Sequence, residues 1–198
     1  MLGSISPVGE ASRNQRWWLT ATAYIVASTA AGAMVGLTLG AFGSLLFGEV
    51  SPHARLGVLG VLTIAAAAAD AGRFAASIPS WRRQVDERWL STYRGWVYGA
   101  GFGAQLGAAV TTIVTSAVTY AALGAALLSA SWQAGLAIGA AYGMARGVPL
   151  LAMVRIRTVE RLYAVTRRVA DAEPWAHRVT IGCQGLLATA ALVTAVLR

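Results

Sequence analysis

The chain has 198 residues, of which 57% are hydrophobic and 12% charged, with a mean hydropathy of +0.59; a soluble domain carries about a quarter charged residues. That balance excludes an ordinary water-soluble globule and points to an all-α, polytopic helical membrane protein surrounded by a lipid bilayer. The formal net charge of +8 comes from sixteen arginines, with no lysine, against eight acids. The arginines flank apolar runs instead of forming one basic face, so they read as topology determinants and not as a nucleic-acid surface.

Residues 1–15 form a polar N-terminal segment ahead of a first apolar stretch, about Trp17 to Gly48, which is too long for a signal-peptide core and reads as an uncleaved span. The stretch exceeds the roughly 20 residues that a bilayer requires, so it must tilt, project or break, and Gly32, Gly36, Gly40 and Gly43 allow close packing or a break. A loop with Glu49, Pro52, His53 and Arg55 precedes the second span, about Leu56 to Ile78. The charged segment from Arg82 to Arg94 then reads as an interfacial linker. A third, overlong stretch runs from about Gly95 to Leu128, and the tight turn Ser129-Ala-Ser-Trp132 sets it antiparallel beside the fourth, about Gln133 to Val154. A second charged linker, Arg155 to about Arg178, leads to a last span over 179–197. The whole is expected to be a single transmembrane domain of about five spans, six if one overlong stretch hides a further crossing.

Counting arginines tests this topology. With a cytoplasmic N-terminus, twelve arginines lie inside, Arg55 and Arg198 lie outside, and Arg73 and Arg146 fall within spans. This is the positive-inside bias of a protein of the cell (inner or plasma) membrane.

An internal repeat is suggested by a shift of 73 positions, which lays Arg73 on Arg146, Arg82 on Arg155, Glu87 on Glu160 and Arg88 on Arg161. A shift of 79 lays Trp96 on Trp175, Gly103 on Gly182 and Gln105 on Gln184. The halves are about 17–94 and 95–178, with 179–197 as a final helix, and two spans per half make the copies parallel.

Polar groups inside apolar spans are the candidate functional residues. Asp70 precedes Arg73 by three positions on one helical face, either as an intrahelical ion pair with the arginine snorkelling or as half of a charged site. Arg146 has no acid within four positions, and an uncompensated intramembrane cation costs at least about 2.5 kcal/mol. Asp70, Arg73 and Arg146 are therefore expected to form one charge cluster, as a site or a structural staple. Gln105, Thr112, Thr115, Ser116 and Thr119 line one face of the third span, with Tyr142 on the fourth, either bonding helix to helix or lining a hydrated path. The lone Cys183 rules out an intramolecular disulfide and reads as a small buried residue of the last span; His53 and His177 fall in predicted loops. No metal-site spacing or catalytic motif is seen, so neither a cofactor nor an enzyme activity is expected.

The segment Gly101-Phe-Gly103, then Ser131, then Gly139-Ala-Ala-Tyr-Gly-Met-Ala-Arg146-Gly-Val-Pro149-Leu-Leu151 resembles the second half of the CcdA/DsbD transmembrane family. The resemblance covers about a quarter of the chain. It implies overlong, centrally broken helices around a polar path, and it implies inverted three-span repeats, which conflicts with five spans and parallel copies. That family exchanges thiols through a cysteine at the centre of each of two long helices. The matching centres, Phe42 to Ser44 and Thr112 to Ser116, hold no cysteine, so this activity does not carry over. Related exporter families of this plan, in the LysE-type transporter superfamily, move small solutes or ions without cysteines.

The leading expectation is a small transporter working by rearrangement of two repeats around the polar path. The alternatives are a CcdA-like redox-associated subunit with a separate thiol- or cofactor-bearing partner, and a subunit for assembly of a membrane complex, with oligomerisation left open.

Overall fold

In lipid, side chains gain little by packing on one another, so helices associate where small residues let backbones approach. The computed structural model, which describes residues 5–73, 88–109 and 116–197, is built on that rule. After a short helix α1 (Pro7–Ser12), the continuous 31-residue helix α2 (Trp17–Phe47) forms its axis. The four-residue spacing Thr20, Tyr24, Ser28, Gly32, Gly36, Gly40 draws one buried stripe along α2. Helix α5 (Gly95–Gly107) brings a matching row, Gly95, Gly99, Gly103 and Gly107, and helix α7 (Trp132–Gly147) brings Gly135, Gly139, Gly143 and Gly147.

The two rows share the stripe. A Cβ on Gly99 would fall 2.6 Å from Thr20 O, on Gly103 2.1 Å from Tyr24 O and on Gly107 2.1 Å from Ser28 O, so α5 runs parallel to α2. Gly143 faces Ser28, Gly139 faces Gly32 and Gly135 faces Gly36, so α7 runs antiparallel. At Ser28 the rows meet, and its hydroxyl donates to Gly143 O at 2.7 Å. The glycines of the first stretch therefore pack and do not break it; at about 1.5 Å per residue α2 is some 46 Å long, well beyond a bilayer core of about 30 Å.

Helix α3 (Pro52–Asp70) begins four residues earlier than the apolar run suggests. Ser51 accepts from Ala54 N as N-cap and Pro52 occupies the first turn, so His53 and Arg55 are helical and not in a loop. The helix stops at Asp70 because Gly72 takes φ +69°, and the bonds Gly72 N to Ala69 O and Arg73 N to Ala68 O complete a Schellman turn. The short helix α4 (Trp89–Thr92) precedes α5. The third stretch is interrupted as α5, ending where Ala109 takes φ +63°, and α6 (Val118–Leu128).

Ala130 (φ +47°) and the N-cap Ser131 turn the chain into α7, antiparallel to α6 as expected. A 3-10 turn, Val148–Met153, follows. Helix α8 (Val159–Leu197) is continuous over 39 residues: the second charged linker is helical from Val159 on, and His177 lies on a helix.

The outside of this bundle is apolar, and its interior holds glycines and polar side chains as well as a cluster of large hydrophobic ones. Leu45 and Val196 are 82% exposed, whereas Ser28, Thr20 and Gln184 are buried. A soluble protein reverses this arrangement. Four helical stretches, Trp17–Phe47, Pro52–Asp70, Trp132–Met153 and Val159–Leu197, are long and apolar enough to cross a membrane, and Val118–Leu128 is a shorter apolar helix. This is the fold of a helical membrane protein, with four helices among the described residues long and apolar enough to cross and a divided third stretch, where five uninterrupted spans were expected.

Candidate functional site

The C-terminal end of α3, the N-terminus of α6 and the middle of α8 meet at Asp70. Its carboxylate, 8% exposed, accepts from Ser116 Oγ (2.7 Å) and Gln184 Nε2 (3.0 Å) on Oδ2 and from Ala117 N (2.7 Å) on Oδ1. Ser116 Oγ also accepts from Val118 N, and the Asp70 carbonyl accepts from His177 Nε2 at 2.8 Å. The carboxylate thus sits at the positive end of the α6 dipole, held among the described residues by hydrogen bonds and no ion pair. At the other end of α6, Arg55 Nη1 donates to the carbonyls of Ser129 (3.0 Å) and Leu128 (3.4 Å). Helix α3 therefore clamps α6 with a carboxylate at its N-terminus and a guanidinium at its C-terminus.

Gln184 is 1% exposed, and its Oε1 has no hydrogen-bond partner among the described residues. An orphaned buried acceptor costs about 1–3 kcal/mol, so this atom marks unmet bonding capacity beside the carboxylate. Gln184 and Thr63 also line an otherwise largely apolar cleft of about 400 Å³ between α3, α6 and α8.

The expected charge cluster does not form. Arg73 lies just past the end of α3, exposed, and not within a helical span. Arg146 donates to the Tyr142 hydroxyl at 2.7 Å and lies over the same ring at 5.6 Å. Among the described residues the one ion pair joins Arg13 to Glu10. Arg146 finds its partner four residues away on its own helix, which a search for acids overlooks.

The expected polar path is divided in the same way. Ser116 bonds Asp70, while Thr119 Oγ1 lies 3.0 Å from the Tyr142 hydroxyl. Gln105 is half-buried on α5. Thr112 and Thr115 lie outside the described residues. Between α2, α6 and α7 the glycine contacts leave a void of about 10 Å³ lined by such residues as Gly32, Ala122, Ile138 and Gly139, an apolar space at the lower limit for one water. Cys183, expected to be buried, is exposed on α8.

A second buried carboxylate escaped sequence reasoning. Glu10, fully buried in the first turn of α1, accepts from Arg13 Nη2 (2.7 Å), Thr20 Oγ1 (2.7 Å) and the Tyr98 hydroxyl. Burial works against the Arg13 charge, but the bonds and charges of Glu10 and Tyr98 outweigh it and hold the guanidinium above its ordinary value. The cluster ties the N-terminal segment to α2 and α5 and lies beside a core of Ile5, Tyr24, Phe102, Leu150 and Met153. The Ser6-Pro7 start of α1, with Ser6 accepting from Gly9 N, was the available signal.

Neither a family model, nor a curated protein, nor a solved structure matches the chain.

Proposed function

We propose that this chain is a small membrane transporter that moves a small solute or ion past the junction of α3, α6 and α8. The observation that carries the reading is the Asp70 carboxylate, buried without a cationic partner among the described residues where the third apolar stretch is interrupted. Interrupted helices with a half-helix N-terminus at an anionic group are a recurring way to build a transport site. Gln184 supplies a free acceptor at the same place, and the adjoining cleft gives a route toward it. The resemblance to the CcdA/DsbD family and its exporter relatives agrees with a broken helix beside a polar centre. The arginine bias supports a cytoplasmic N-terminus in a cell membrane. In this reading α3, α6 and α8 move against α2 and its glycine partners α5 and α7, which form the fixed part.

The test is flux in proteoliposomes under imposed gradients of small ions and small organic solutes. Wild-type protein should move at least one of them, and Asp70→Asn should lose that flux while eluting as the same particle in detergent. A flat response to every gradient from correctly reconstituted protein would remove the proposal.

A second reading is favoured by the two-ended clamp on α6: Asp70 and Arg55 as structural groups in an assembly subunit whose charged helical arm, residues 166–179 of α8, is exposed to a membrane or redox partner. Under that reading Asp70→Asn weakens the particle itself, and flux is absent from the outset.

A further inference from the structure

At the end of the bundle that holds the N-terminus, the parallel course of α2 and α5 brings their first turns side by side around a pocket of about 380 Å³. Arg16 is the N-cap of α2 and Arg94 that of α5, and neither arginine side chain makes a cap hydrogen bond. Both arginines are exposed and line the pocket, with Asn14, Gln15, Thr20 and Trp96. Among the described residues no acid lines it, and Glu10 is turned to Arg13, Thr20 and Tyr98. Among the described residues neither Arg16 nor Arg94 has an ion pair. The pocket is shaped and not merely a charged surface, because Gln15 Oε1 accepts from Gly95 N at 3.1 Å and Asn14 turns the chain at φ +54°.

We propose that this pocket binds the phosphate group of an anionic ligand, with Arg16 and Arg94 as the paired guanidiniums and the Asn14 and Trp96 side chains as its polar and aromatic walls. Two planar guanidiniums converging on one space suit a tetrahedral oxyanion better than single carboxylates or halides. Trp18 and Trp96, 57% and 53% exposed, place the pocket at the depth where aromatic side chains meet headgroups, and two adjoining helix N-termini add favourable dipoles. The phosphate can belong to a lipid headgroup or to a soluble compound.

The experiment compares wild-type protein, Arg16→Gln/Arg94→Gln and the charge-matched control Arg155→Gln/Arg157→Gln, which lie outside the pocket. Each is placed in nanodiscs of phosphatidylcholine with a minor fraction of phosphatidylglycerol, and tightly retained lipid is measured by native mass spectrometry. Inorganic phosphate is titrated into parallel lipid-free detergent samples. The pocket variant should lose phosphate-bearing ligand roughly tenfold relative to wild type, and the control should not. Selective retention of phosphatidylglycerol identifies a headgroup ligand; binding of inorganic phosphate in its place identifies a soluble one. Equal losses in the two variants, or none in the pocket variant, would overturn the assignment. Thermal unfolding of all three proteins guards against a folding defect, and a further variant, Trp96→Ala, should weaken retention through the same pocket without altering charge.

Discussion

Among the described residues two carboxylates are buried, and they are buried in different ways. Glu10 has a guanidinium, a threonine and a tyrosine hydroxyl around it, so its charge is matched and its acceptors are filled. Among the described residues Asp70 has a serine, a backbone N–H and a glutamine amide, with no cation, and an unfilled oxygen beside it on Gln184. The first arrangement is closed and holds two parts of the chain together. The second leaves negative charge and bonding capacity at the junction of three helices, which is where a mobile cation or polar solute has something to gain. Burial alone therefore does not mark a working group; the kind of compensation does.

The largest effect should come from opening the closed cluster. Glu10→Ala leaves the Arg13 guanidinium and the Tyr98 and Thr20 hydroxyls without their common acceptor, and should lower stability by about 3–5 kcal/mol, read as a lower thermal midpoint in detergent. Flux per folded molecule should stay as it was. A variant that remained as stable as wild type would erase the distinction between the two carboxylates. Next, Gly95→Ala attacks the same cluster without touching charge: its Cβ would fall 2.4 Å from Thr20 Oγ1 and 2.9 Å from Glu10 Oε2. It should cost about 1–3 kcal/mol by overpacking, measured in the same melt.

At the open site, Asp70→Asn keeps the shape but turns one acceptor into a donor facing groups that donate, and should cost about 1–2 kcal/mol. Its main effect should appear in flux. The smallest change is Thr119→Val, which removes the contact with Tyr142 and should cost about 0.6 kcal/mol, the usual worth of one interhelical hydrogen bond in a membrane. A larger loss on thermal unfolding would mean that the Thr119, Tyr142 and Arg146 chain carries more of the fold than its geometry implies.

The difference between the two carboxylates was only half legible in the amino-acid order. Asp70 stood out because it is the acid at the edge of an otherwise apolar run, and Ser116 because it shares a polar helical face. The glycine steps of the first, third and fourth stretches announced packing, and the turn at Ser129 to Trp132 announced neighbouring helices. Periodicity speaks of one helix at a time, however. Gln184 sits in an apolar run and reaches Asp70 across 114 positions, a meeting that depends on how α3 and α8 pair. His177 was obscured because the charged half of α8 has no apolar stripe to declare it helical. Glu10 was hidden in a polar segment that local composition reads as a tail, and its partners Thr20 and Tyr98 lie on two other helices, Tyr98 far along the chain. Arg146 misled for a different reason: a buried cation was assumed to need an anion, and a tyrosine hydroxyl and ring met it instead.

The most direct measurement is flux through proteoliposomes carrying equal amounts of folded wild type, Asp70→Asn and Glu10→Gln. A gradient-driven signal that disappears with Asp70→Asn and survives with Glu10→Gln is the predicted result. Equal flux from wild type and Asp70→Asn, or none from any of the three, would contradict the assignment of Asp70 as the working group.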